Sequence, residues 1–167
     1  MLQAFEERYG RSATHIARAP GRVNLIGEHI DYHHLPVMPF AIERAISVVF
    51  APASGGSGDG RVRIGTAQGE LAAADFEADH FEVSDQLEKL PAGDWRNYVR
   101  AAAQSLASEQ QISGGLDAWV VSDLPVAAGL SSSSALVVAV GLALGRVNEV
   151  VVGRRAFAEQ KIGRAHV

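Results

Sequence analysis

The sequence predicts an α+β fold. Three observations carry this expectation. β-friendly runs come in pairs in the first half of the chain, helical periodicity dominates the second half, and the regular strand–helix–strand alternation of a doubly wound sheet is absent. The 167 residues suffice for one domain with a hydrophobic core.

Each element follows from local pattern. Residues 1–12 form a short helix in which Leu2, Phe5 and Tyr9 make the apolar stripe. Ala13 to Ala17 reads as a strand entering a turn at Pro20-Gly21. Arg22 to Ile26 is a second short strand, broken by Gly27, and Glu28 to Pro36 is polar and loop-like. Met38 to Ile42 and Ala45 to Pro52 lead back out as a strand. Ser54 to Gly60, SGGSGDG, has the composition of a flexible hairpin tip. Arg61 to Ile64 alternates as a strand, and Glu70 to Phe76 is a further strand candidate. Trp95, Tyr98, Val99, Ala102 and Leu106 recur at spacings of three and four, so Trp95 to Ala107 is a helix. Gly114 to Ser122 is a strand, Ser131 to Val147 a buried helix rich in small residues, and Gly153 to Gln160 the start of another helix.

Composition excludes several functions. The net charge of −4 and pI of about 5.8 leave no basic footprint for nucleic acid. Without cysteine there is neither a disulfide nor a thiolate metal site, which fits a reducing cytoplasm. The first residues show no basic n-region followed by an apolar core and cleavage site, so a secretory signal is not expected. The longest apolar run, Ala135 to Leu144, is interrupted by Gly141 and is too short to cross a bilayer. A cytoplasmic protein with neither nucleic-acid nor membrane partners is expected.

Two stretches carry chemistry. The first is LPVAAGLSSSSALVVAVGLAL, Leu124 to Leu144. Small side chains after Pro125 let a ligand approach the backbone, and Ser131 to Ser134 stand where a helix begins. A helix N-terminus presents unpaired N–H groups and partial positive charge, which together favour phosphate. The hydroxyls can add hydrogen bonds or a Mg²⁺ ligand. Simple capping of the helix by serine is the alternative. The stretch is neither a Walker P-loop, since its lysine is missing, nor a G-x-G-x-x-G dinucleotide site.

The second stretch is GRVNLIGEHIDY, Gly21 to Tyr32, which places Arg22, Asn24, Glu28, His29 and Asp31 among apolar residues and glycine. Charges in a buried strand are costly unless paired or ligand-bound. Two explanations stand. Arg22 can pair with Glu28 or Asp31 to hold a turn, or the groups can converge on a polyhydroxylated ligand such as a sugar. His33 and His34 point to opposite sides of an extended chain and read as surface residues rather than metal ligands. His15 reads as structural, and Trp95 and Tyr98 as core packing.

APGRVNLIGEHIDY resembles the galactokinase signature, and LPVAAGLSSSSA resembles the phosphate-binding motif of the GHMP kinase superfamily. WRNYVRAAAQSL between them is similar to the family's helix with an aromatic residue, Asn and Tyr. The resemblance spans Ala19 to Gln160 and implies the family's amino-terminal domain: a mixed β-sheet with helices packed on one side. It also implies an ATP-dependent sugar 1-kinase making galactose 1-phosphate from galactose and MgATP, monomeric at full length. On this resemblance Arg22 stabilises the transferring phosphoryl group. Glu28, His29 and Asp31 hold sugar hydroxyls. Pro125, Ala127, Ala128, Gly129, Leu130, Ser131, Ser132, Ser133 and Ser134 cradle the ATP phosphates, and Ser133 lies near Mg²⁺.

The chain departs from the family in four places. His33-His34-Leu35 stands where many galactokinases have Asn and glycines, and Ala127 where many have glycine. Another sugar, or a sugar- and ATP-binding regulatory protein, is therefore the alternative reading. The family's G-x-x-x-G-x-M-D-Q-like motif, whose aspartate orients or deprotonates the attacking hydroxyl, has no counterpart here. The closing KIGRAHV does not resemble the family and reads as a translated adapter. The expected layout is a truncated amino-terminal domain over 1–160 and a non-native tail over 161–167, with the carboxy-terminal domain absent and the fragment inactive alone.

Overall fold

The computed structural model describes residues 1–27, 35–56, 58–66, 79–125 and 128–150. Their order is α1 (Leu2–Tyr9), β1 (His15–Ile26), β2 (Met38–Pro52), β3 (Arg61–Thr66), β4 (Asp79–Glu82), α2 (Arg96–Gln110), β5 (Leu116–Ser122) and α3 (Ser132–Val147). The strands form one mixed sheet in the order β1-β2-β5-β3-β4. Only β3 and β5 run parallel; the other three pairs are antiparallel.

The two central strands are apolar on both faces because both faces are covered. Ile46, Val48 and Phe50 of β2 and Leu116, Ala118 and Val120 of β5 enter the main core with α2 and α3. Their neighbours Val49, Ala51 and Trp119 point to the other face and pack with Phe5 of α1. α3 is apolar nearly all round, as a helix wedged between β1, β2 and α2 must be. The expected mixed sheet with its main helices on one side is therefore present, and short α1 closes a patch of the opposite face.

Two expectations change. Pro20-Gly21 is not a turn, since β1 runs through it. The ladder is irregular there: Pro20 faces Ala45 while Arg22 faces Ala41. Proline lacks a ladder donor, and an irregular position on an edge strand tolerates that loss. SGGSGDG is not a hairpin tip either, because β5 lies between β2 and β3. The connection passes over the end of β5, where Ala53 N–H donates to Gly115 O at 3.0 Å and Gly115 N–H donates to Asp59 O at 2.7 Å. A Cβ on Gly115 would lie 2.1 Å from Arg61 O, so only glycine permits this crossing.

β4 was not anticipated. It has four residues, and its Asp79 is buried against Arg100 of α2 at 2.8 Å. The expected strand at Glu70 to Phe76, the helix at Gly153 to Gln160 and the tail at 161–167 lie outside the described residues.

Asn97 sits in the aromatic-Asn-Tyr stretch of α2 and serves the fold. Its Oδ1 accepts from Leu90 N–H, and its Nδ2 donates to Leu90 O and Pro91 O. Asn97→Ala is expected to lower stability by about 1–2 kcal/mol. The readout is a reduced urea midpoint with an unchanged slope. No helix among the described residues is long and apolar enough to cross a membrane.

Candidate active site

The site is built where β1 meets the segment leading into α3. Gly21 is buried on the helix side of β1, and the approach there is tight. A Cβ on Gly21 would stand 2.5 Å from Leu124 Cδ2, 3.0 Å from Leu130 O and 3.1 Å from Ile42 Cδ1. The absence of a side chain lets the segment close down. Arg22 N–H then donates to Leu130 O at 3.2 Å. That bond ties the arginine-bearing strand to the serine turn, two stretches more than a hundred residues apart.

The parity of the ladder explains why the Arg22 amide is available. In an antiparallel pair, successive residues direct their backbone groups alternately toward and away from the partner strand. Arg22 faces Ala41, but its N–H points away from β2 to Leu130. By the same alternation Asn24, opposite Pro39, occupies a position that needs no donor from the partner, which suits proline.

The approach to the turn is anchored on both sides. Arg44 Nη1 donates to Asp123 O at 2.8 Å, and Leu124 N–H donates to Ser122 Oγ at 3.0 Å. Leu124 is buried beneath Gly21, whereas Pro125, Ala128 and Gly129 are exposed. Gly129 and Ser131 both take left-handed backbone conformations, with φ of 70° and 56°. The half-buried Ser131 to Ser134 follow, at the start of α3.

Ser131 is the N-cap of α3, yet its hydroxyl makes no capping bond. An ordinary serine cap has β-region backbone angles and bonds the second or third helical N–H. A left-handed non-glycine residue is strained, and such strain gathers at ligand sites. Capping is thus not the role this structure gives to Ser131. The first turn of α3 contains no acidic residue, so the helix itself sets no negative charge against an anion at its positive end.

The Arg22 guanidinium has neither a hydrogen bond nor an ion pair among the described residues. Glu28, His29, Asp31 and Ala127 lie outside the described residues, so their placement is not described. The sequence reading assigned no site role to Gly21, nor to Asn24, although the Asn24 amide stood out among the polar groups of its stretch. Gly21 enables the close approach. Asn24 carries a buried Oδ1 without a hydrogen-bond partner. The signal for both was present, since each belongs to the stretch that carries Arg22.

Gly21→Ala is expected to cost about 1–3 kcal/mol through overpacking. It should also push Leu130 off Arg22, visible as faster amide exchange at Arg22. An unchanged exchange rate would show that the bond does not depend on this contact.

Residues 3–52 match the galactokinase galactose-binding signature, and residues 97–166 match the GHMP kinase N-terminal domain. The galactokinase of Chloroflexus aurantiacus is 39% identical over 150 residues, covering 90% of this chain and 36% of the relative. That of a Roseiflexus species is 41% identical over 140 residues, covering 84% of this chain and 33% of the relative. Lactococcus lactis galactokinase, solved with galactose, superposes with a TM-score of 0.78 at 27% identity, covering 95% of this chain and 39% of that one. Methanococcus jannaschii mevalonate kinase superposes at 0.70 with 16% identity, over 89% of this chain and 45% of that one, which is a likeness of fold alone. Taken with the meeting of Arg22 and the serine turn, these matches show the fold of a GHMP kinase N-terminal domain with a galactokinase galactose-binding signature, in a chain that spans about a third of the length of the curated galactokinases it resembles.

Proposed function

We propose that this chain supplies the sugar- and phosphate-binding elements of an ATP-dependent sugar 1-kinase that converts galactose to galactose 1-phosphate. The observation that carries the reading is the bond from Arg22 N–H to Leu130 O, which brings the residue bearing a cation with no partner among the described residues next to the turn that opens α3, whose first helical turn has no acidic residue. Phosphoryl transfer asks little covalent chemistry of the protein. It needs in-line positioning and stabilisation of spreading negative charge.

On this reading the backbone of Pro125 to Ser134 and the serine hydroxyls take the ATP phosphates. Arg22 meets the transferring phosphoryl group, and Glu28, His29 and Asp31 take sugar hydroxyls. Ser133 would ligate Mg²⁺. A hydroxyl is a suitably hard ligand, and Mg²⁺ bound to a nucleotide draws most of its ligands from phosphate and water. The metal would neutralise phosphate charge.

The test has two arms. Galactose and MgATP are titrated separately into the 167-residue chain. In parallel, the chain replaces the matched 150 residues of the Chloroflexus aurantiacus galactokinase, and ADP formation is followed with galactose, glucose, N-acetylgalactosamine and arabinose. Saturable binding of both ligands and galactose-dependent turnover are expected. Binding of both ligands without turnover on any sugar would favour a regulatory sensor. Binding of neither ligand would overturn the reading.

A further inference from the structure

Arg22 and Asn24 share one side of β1. The register is unbroken from Arg22 opposite Ala41, through Val23 opposite Phe40, to Asn24 opposite Pro39. Side chains alternate along such a stretch, so Arg22 and Asn24 project together and Val23 projects oppositely. Each of the two has an unmet requirement. The Asn24 Oδ1 is buried and has no hydrogen-bond partner. The Arg22 guanidinium, a fork of five donors, has no partner among the described residues.

An orphaned buried acceptor lowers stability, and asparagine is a poor strand former in any case. Valine at position 24 would suit the strand better. A residue that weakens its own strand calls for a compensating role, and the missing donor lies two residues away on the same face. Alternate residues on a strand are about 7 Å apart at Cα, within reach of an arginine side chain.

We propose that Asn24 is a positioning residue for Arg22. When nucleotide phosphates occupy the serine turn, Asn24 Oδ1 accepts a hydrogen bond from the guanidinium and holds it turned toward the phosphates. Its amide thereby lowers the freedom that Arg22 loses on binding, a form of preorganisation. This inference rests on the kinase reading above.

A double-mutant cycle tests it. Dissociation constants for MgATP, with galactose saturating, are measured by calorimetry for the 167-residue chain and for Arg22→Ala, Asn24→Ala and the double variant. Thermal midpoints are recorded for each without ligand, and for Asn24→Val. Asn24→Ala is expected to weaken MgATP binding roughly tenfold. The double variant should bind no more weakly than Arg22→Ala alone, and the unliganded midpoints of both Asn24 variants should be unchanged or higher. Lower midpoints in both would mark Asn24 as structural and overturn the proposal. So would an unaltered MgATP affinity or additive losses. If the unaltered chain binds neither MgATP nor galactose, the kinase reading fails and this inference fails with it. Normal binding by the unaltered chain and by Asn24→Ala overturns this inference alone.

Discussion

Arg22→Ala is expected to reduce galactose phosphorylation by roughly 10²–10³-fold in kcat, the loss typical when one preorganised charge-stabilising donor is removed from a transition state. The fold should not notice the change. The Arg22 guanidinium holds no hydrogen bond or ion pair among the described residues. The bond from Arg22 to Leu130 O comes from its backbone and survives in alanine. A large kinetic effect without a thermal one is therefore the signature to look for. Arg22→Lys should recover only part of the loss, because an ammonium supplies charge without the planar fork that matches two phosphate oxygens. The measurement is kcat and KM for the hybrid galactokinase, with the thermal midpoint of the 167-residue chain beside it. Unchanged turnover would remove Arg22 from the chemistry. An equal fall in thermal midpoint and activity would make it a structural residue.

That pairing of residues was only half visible in the sequence. Arg22 and Ser131 to Ser134 each stood out, because charge inside an apolar strand and four serines opening a buried helix are local anomalies. Their meeting is a long-range fact. It depends on Gly21 allowing Leu130 to within hydrogen-bond distance of β1, and no periodicity encodes which loop arrives there. The same limit governed the sheet. β2, β5, α2 and α3 were legible from alternation or helical spacing, which are properties of neighbouring residues. The insertion of β5 between β2 and β3 was not, since the pairs Val48 with Val120 and Ile64 with Ala118 join segments far apart in the chain. SGGSGDG has the composition of a hairpin tip, but tertiary pairing turned it into a crossover. β4 is too short for a pattern and is held by the Asp79 to Arg100 ion pair. Ser131 shows the limit most sharply. Its residue type suggests a helix cap, and only its backbone angles reveal that it does not act as one.

Asp117→Ala is expected to cost about 3–5 kcal/mol, the range for removing one partner of a buried ion pair. Asp117 stands on β5 at 1% exposure. Its carboxylate accepts from Arg63 Nε at 2.5 Å and Nη2 at 2.6 Å, and from Arg11 Nη2 at 2.6 Å. Those two arginines come from β3 and from the segment after α1, so one carboxylate fastens three parts of the chain. The arginine side chains retain 31% and 29% exposure. Water can therefore reach the stranded cations, which places the loss near the lower end of the range. Tyr9 completes the cluster. Its ring lies 5.1 Å beneath the Arg63 guanidinium, and its hydroxyl donates to Ala118 O at 2.7 Å. Burial, followed by the nearby Asp117 charge, holds the Tyr9 hydroxyl well above its ordinary range. Its contribution is fully present below the unfolded-state value near pH 10 and is lost as pH rises toward the folded one, because the unfolded chain releases that proton first. Stability should thus decline above about pH 10, with a slope that Tyr9→Phe reduces. Arg63→Met and Arg11→Met combined with Asp117→Leu should restore most of what Asp117→Ala removes, since a packed apolar trio avoids desolvating any charge. If the triple variant were instead as unstable as Asp117→Ala, the charges themselves, and not the penalty of leaving one unpaired, would be what holds α1 against the sheet.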